Sequence, residues 1–67
     1  MDENELWRDC NTHFMNRSYT SAAFFANKLC TMFPESTNLM EYIFFLANCY
    51  FQMAEYPRVC NLLERHN

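Results

Sequence analysis

Three observations predict an all-α fold for this 67-residue chain, with four antiparallel helices arranged as two hairpins. It contains no glycine, and its only prolines, Pro34 and Pro57, stand at two isolated points. That leaves few of the signals that bound strands and turns. Apolar residues recur at helical spacing. The run from Tyr42 to Phe51 sets Leu46 and Ala47 side by side, with Tyr50 one turn on, before Tyr56 and Pro57.

The first helix is expected from about Glu3 to Asn16, with Asp2, Glu3 and Glu5 placing negative charge where the helix dipole favours it. Its apolar positions are Leu6, Cys10, His13 and Phe14, with Trp7 beside them. Ser18 is a candidate cap for the second helix, whose buried stripe is Ala22, Ala23, Phe25, Ala26 and Leu29. That helix should end near Phe33, because Pro34 disfavours helical geometry in the residue before it. Asn38 followed by Glu41 approximates a capping box and starts the third helix, which should reach Met53. A turn over residues 54–56 leads into the fourth helix, where Pro57 falls near the first position and costs no hydrogen bond. Val59, Cys60, Leu62 and Leu63 are its expected inner face.

The order of bulky, small and aromatic residues in the second hairpin is that of a tetratricopeptide repeat, and the first hairpin is a weaker copy. Superposing them puts Tyr19 on Tyr56, Ala22 on Val59 and Leu29 on His66, an offset of 37 residues. Asp9 falls where the second copy has Leu46. The residues that define the repeat are Tyr19, Ala22, Ala26, Leu46, Ala47, Tyr50, Tyr56 and Leu63. The predicted architecture is a right-handed α-solenoid fragment in a single domain, hairpin one over about residues 3–33 and hairpin two over about 38–66.

Composition narrows the function. A net charge of −3 with no Lys/Arg cluster disfavours a nucleic-acid partner. The longest unbroken apolar run, Tyr42 to Ala47, is far short of the roughly 20 residues a membrane span needs. Cys10, Cys30, Cys49 and Cys60 are too widely spaced for a zinc or redox motif, and read as free buried thiols in a reducing compartment. The opening Met1-Asp2-Glu3-Asn4-Glu5 lacks the pattern of a secretory leader. An intracellular protein, nuclear or cytoplasmic, is expected.

The strings Leu6-Trp7, Tyr19-Thr20-Ser21-Ala22-Ala23-Phe24-Phe25-Ala26-Asn27-Lys28-Leu29 and Glu41-Tyr42-Ile43-Phe44-Phe45-Leu46-Ala47-Asn48-Cys49-Tyr50-Phe51, then Leu62-Leu63 and His66, carry a resemblance over about Leu6 to His66. The chain resembles the amino-terminal tetratricopeptide domain in the family of the third scaffold subunit of the anaphase-promoting complex, a ubiquitin ligase of mitosis and cell division. It departs from the family pattern at Ala54, which replaces a turn glycine, at Pro57, and in extra residues between Trp7 and Tyr19. The resemblance implies that the chain is the amino-terminal domain, a fragment, of a longer repeat protein and forms a homodimer, with activators and other complex subunits as partners of later repeats, and no catalytic, cofactor or metal residues here.

The third helix carries the sharpest functional signal, since its apolar residues surround it rather than form one stripe. Two faces need cover, from a neighbouring repeat or from a second copy across a two-fold axis. The expected contact residues are Trp7, Phe24, Phe44, Phe45 and Phe51. An alternative is a stand-alone adaptor that binds a peptide tail in its concave groove, which Asn11 and Asn48 would line. It lacks well-placed cations, because Trp7 and Phe44 stand where a clamp lysine is expected and Arg8 and Arg17 are poor substitutes. Enzymatic use of Cys10 and His13 lacks a third group to orient the imidazole. Glu3 and Glu5 read as solvated charges.

Overall fold

Asp2 opens the first helix, its carboxylate accepting the backbone N–H of Glu5 at 2.8 Å. The computed structural model describes residues 2–66, and four helices follow in order: α1 (Glu3–Met15), α2 (Tyr19–Met32), α3 (Leu39–Gln52) and α4 (Tyr56–Arg65). Consecutive helices pack on one another, giving the two helical hairpins of a solenoid fragment. Leu6 and Cys10 of α1, Ala22, Ala23, Ala26 and Leu29 of α2, and Tyr42, Ile43, Leu46, Ala47 and Cys49 of α3 form the core, with Leu62 of α4. Alanine dominates the α2 contribution, with Ala22, Ala23 and Ala26 all buried.

Both hairpins turn by the same device. At the end of α1, Ser18 donates its N–H to the His13 carbonyl at 2.8 Å and Arg17 donates to Phe14 at 3.0 Å. At the end of α3, Glu55 donates to Tyr50 at 2.9 Å and Ala54 to Phe51 at 3.0 Å. Each pair of bonds is a Schellman closure, which requires a left-handed residue just past the helix. Arg17, with φ 61°, and Ala54, with φ 59°, fill that position although neither is glycine. They are 37 residues apart, so the backbone repeats in the register expected from the side chains.

Several expectations are corrected. Neither Ser18 nor Asn38 caps its helix with a side chain, and the box with Glu41 does not form. The cause is backbone shape: ψ is 68° at Ser18 and 8° at Asn38, away from the extended geometry that aims a cap side chain at the first turn. The entry to α3 is instead held by Ser36, whose hydroxyl accepts the Asn38 N–H at 3.1 Å. The inner face of α4 is narrower than expected, with Leu62 buried and Val59 half-buried, while Cys60 and Leu63 are exposed because among the described residues α4 packs chiefly on α3. Cys60 is therefore not a buried thiol.

Glu3 is not a solvated charge. Its carboxylate accepts hydrogen bonds from the hydroxyls of Ser36 and Tyr42, joining the first turn of α1 to the inter-hairpin loop and to α3. These donors, Ser36 first and then Tyr42, hold the Glu3 carboxyl below its ordinary value of 4.5. Burial, and then the bond to Glu3, pushes the Tyr42 phenol up.

Candidate protein-interaction surface

An aromatic seam runs between α1 and α3. Trp7 packs on Tyr42 with ring centroids 4.9 Å apart and on Phe45 at 5.0 Å, and Phe14 meets Phe45 at 5.3 Å and Tyr19 at 5.2 Å. Thus α1 turns Glu3, Trp7, Cys10 and Phe14 towards the second hairpin, with Cys10 buried and the rings half-buried. Burial pushes the Cys10 thiol up to about 12 and the Cys49 thiol to about 11, so both are inert at neutral pH.

The same positions one repeat later are Met40, Phe44, Ala47 and Phe51 of α3. Ala47 is buried, but Met40 is 50% exposed, Phe44 58% and Phe51 57%. The edge-on pair of Phe14 and Tyr19 recurs as Phe51 and Tyr56 at 5.4 Å, now without a partner equivalent to Phe45 and with Tyr56 exposed. A stripe that is covered in the first hairpin is therefore open in the second.

Phe24, 62% exposed, lies apart from the stripe, on the rim of a groove of about 310 Å³ where α2 meets the α3–α4 turn. Thr20, Tyr50, Met53 and Arg58 also line it. Arg58 is held in place by Glu55 at 3.4 Å and lies 5.5 Å from the Tyr50 ring centre. Of the five expected contact residues, Phe24, Phe44 and Phe51 stand open, whereas Trp7 and Phe45 are half-buried in the seam. Among the repeat-defining residues, Ala22, Ala26, Leu46 and Ala47 are buried, Tyr19 and Tyr50 half-buried, and Tyr56 and Leu63 exposed.

The groups weighed for chemistry are otherwise engaged. His13 stacks on Phe25 with rings 5.2 Å apart and 9° from parallel. Asn11, a candidate for peptide binding, donates its side-chain amide to the Trp7 carbonyl at 2.8 Å. Among the described residues no helix is long and apolar enough to cross a membrane.

Paired helices, a repeating left-handed turn and an apolar stripe recurring 37 residues on define a repeat protein that presents surfaces to other proteins. The family model described as anaphase-promoting complex, cyclosome, subunit 3 matches residues 15–67. The chain belongs to that family. No curated protein and no solved structure matches it. The subunit 3 match spans α2, α3 and α4, and with them the stripe and Phe24. The Leu6-Trp7 string of the sequence resemblance lies before it. The subunit 3 family is of a structural scaffold type, which agrees with a module whose distinguishing residues are exposed rings rather than titratable groups.

Proposed function

We propose that this chain is a protein–protein interaction module of the scaffold of the anaphase-promoting complex, and that it pairs with a second copy of itself. One observation carries the reading: Phe24, Phe44 and Phe51 are each more than half exposed on a small helical unit whose other aromatic rings are largely engaged. Large aromatic rings left this open are more than a small helical unit needs to expose, and clusters of them mark contact sites. Phe24, Phe44 and Phe51, flanked by Trp7 and Phe45, are the contact residues of the pair. The domain is the amino-terminal part of a longer repeat protein. Pairing sets two repeat superhelices in a fixed relation, so tails of activators and neighbouring subunits bind them at high effective concentration. The role is assembly in cell-cycle control, in the nucleus or cytoplasm, and the ligase chemistry resides in other subunits.

Sedimentation at low micromolar concentration tests the reading. A pair burying on the order of 1,600 Å² sediments as a dimer. The variant Phe24→Glu is expected to shift the species towards monomer with unchanged helicity, because an unpaired charge in a buried contact costs several kcal/mol. A monomer at all concentrations refutes the pairing.

A further inference from the structure

Both α2 and α4 pack on α3, and polar groups converge in the gap left between them. The groove beside Phe24 adjoins a narrower cavity of about 160 Å³, the two sharing Asn27, Tyr50 and Arg58. Buried Leu46 and Leu62 line the narrower cavity from within, and Asn61 and Arg65 complete it. Arg58, Asn61 and Arg65 are three and four residues apart, so one face of α4 carries all three. Every polar side chain around this cavity can donate a hydrogen bond, and no carboxylate lines it. In a chain of net charge −3 with only five Lys and Arg, two of the five meet here.

Arg58 is already positioned. Its Nε pairs with Glu55 at 3.4 Å and its guanidinium lies 5.5 Å from the centre of the Tyr50 ring, which leaves the terminal amino groups for a second acceptor. Glu55 lines the wider groove and not the narrower cavity. Among the described residues Arg65 has no ion-pair partner, and the side-chain amides of Asn27 and Asn61 make no hydrogen bond.

We infer that this cavity captures the side-chain carboxylate of an acidic segment on a partner protein, with Arg58 and Arg65 supplying the charge and Asn27 and Asn61 the amide donors. Charge complementarity names the occupant, because a guanidinium fork matches the two oxygens of a carboxylate. A doubly charged phosphate fits less well, since Glu55 stands against Arg58. The acidic start of a second copy is also a poor fit, because Asp2 caps α1 and Glu3 accepts the Ser36 and Tyr42 hydroxyls. The site is distinct from the concave groove that Asn11 and Asn48 would line, as neither residue borders it. None of the pairing contacts lines it either, so capture and pairing are separate properties.

The test is a nuclear magnetic resonance titration of the 67-residue chain at pH 7 with the capped peptide Ac-Ala-Ala-Glu-Ala-Ala-amide, beside counterparts that carry glutamine or phosphoserine in place of glutamate. The glutamate peptide is expected to shift the side-chain amide signals of Asn27 and Asn61 saturably, and the glutamine peptide to leave them in place. Arg65→Gln should weaken capture by about tenfold or more, the loss of one charge-assisted hydrogen bond. Asn61→Asp should abolish it by setting a like charge in the cavity. Both residues are exposed, so helicity should be unchanged. No shift at millimolar peptide, equal response to glutamate and glutamine, or capture that survives both substitutions overturns the inference. Tighter capture of the phosphoserine peptide overturns the choice of carboxylate. Sedimentation of Arg65→Gln reports on pairing separately, so either reading can fail without the other.

Discussion

Two residues hold backbone shapes that suit glycine. Arg17 and Ala54 adopt the left-handed conformation at the hairpin turns, where a Cβ approaches the following carbonyl at a cost of roughly 1–2 kcal/mol. Replacing either with glycine removes that clash and retains both Schellman hydrogen bonds, at the expense of some unfolded-state entropy. Ala54→Gly and Arg17→Gly should each stabilise the chain by about 1 kcal/mol in urea unfolding. Destabilisation by either would mean that the turn is shaped by something other than this closure.

The Glu3–Tyr42 contact should make part of the fold's stability depend on acid. Because hydrogen bonds lower the Glu3 carboxyl below its ordinary 4.5, the native state prefers the ionised form. The contribution is complete above that ordinary value and is lost as pH falls through the lowered native one. Glu3→Gln should therefore weaken the fold at neutral pH and converge with the original chain in acid. Parallel stability curves down to strongly acidic pH would show that the carboxylate has no such part. The sequence held one clue to this contact: a tyrosine inside an apolar run brings a hydroxyl that needs a partner when buried. Nothing in the spacing named Glu3, which lies 39 residues away.

At the scale of helices, periodicity was a good guide because it reports which side chains share a face, and burial follows the face. All four helices lie within a residue or two of their expected ends. Caps were not legible, since they depend on the ψ of one residue at the helix entry, which the loop before it sets. The inner face of α4 was over-read for a different reason: among the described residues α4 packs chiefly on α3, so only the side that meets α3 is covered, and Leu62 is buried while Leu63 is not.

The contrast along α3 yields a paired prediction. Ile43 is fully buried, and truncation to alanine should cost about 2–5 kcal/mol, enough to unfold most of so small a domain. Its neighbour Phe44 points outward, and Phe44→Glu should leave the far-ultraviolet dichroism intact. Loss of helicity from Phe44→Glu, or its retention in Ile43→Ala, would reverse the assignment of faces.

The whole molecule is a slab, with Cα extents of 30 × 28 × 13 Å. Its accessible surface of 4585 Å² is close to the roughly 4,500 Å² expected of a folded monomer of 8.1 kDa. The amount of surface is ordinary, and its character is not. Phenylalanines occupy positions on α3 that are covered on α1, and α1 is polar at positions where α3 is apolar. That asymmetry was present in the sequence as Glu5, Arg8, Asp9 and Thr12 against Tyr42, Phe45, Leu46 and Cys49. It becomes readable only once the turns fix the register, because a slip of one residue would move every side chain by 100° around its helix.

The central claim is that these exposed rings pair the chain with a second copy of itself. Sedimentation velocity of the 67-residue chain at low micromolar concentration, with helicity recorded on the same sample, measures this most directly. The account predicts a fully helical species of about twice 8.1 kDa. A fully helical species of 8.1 kDa at every concentration would contradict it.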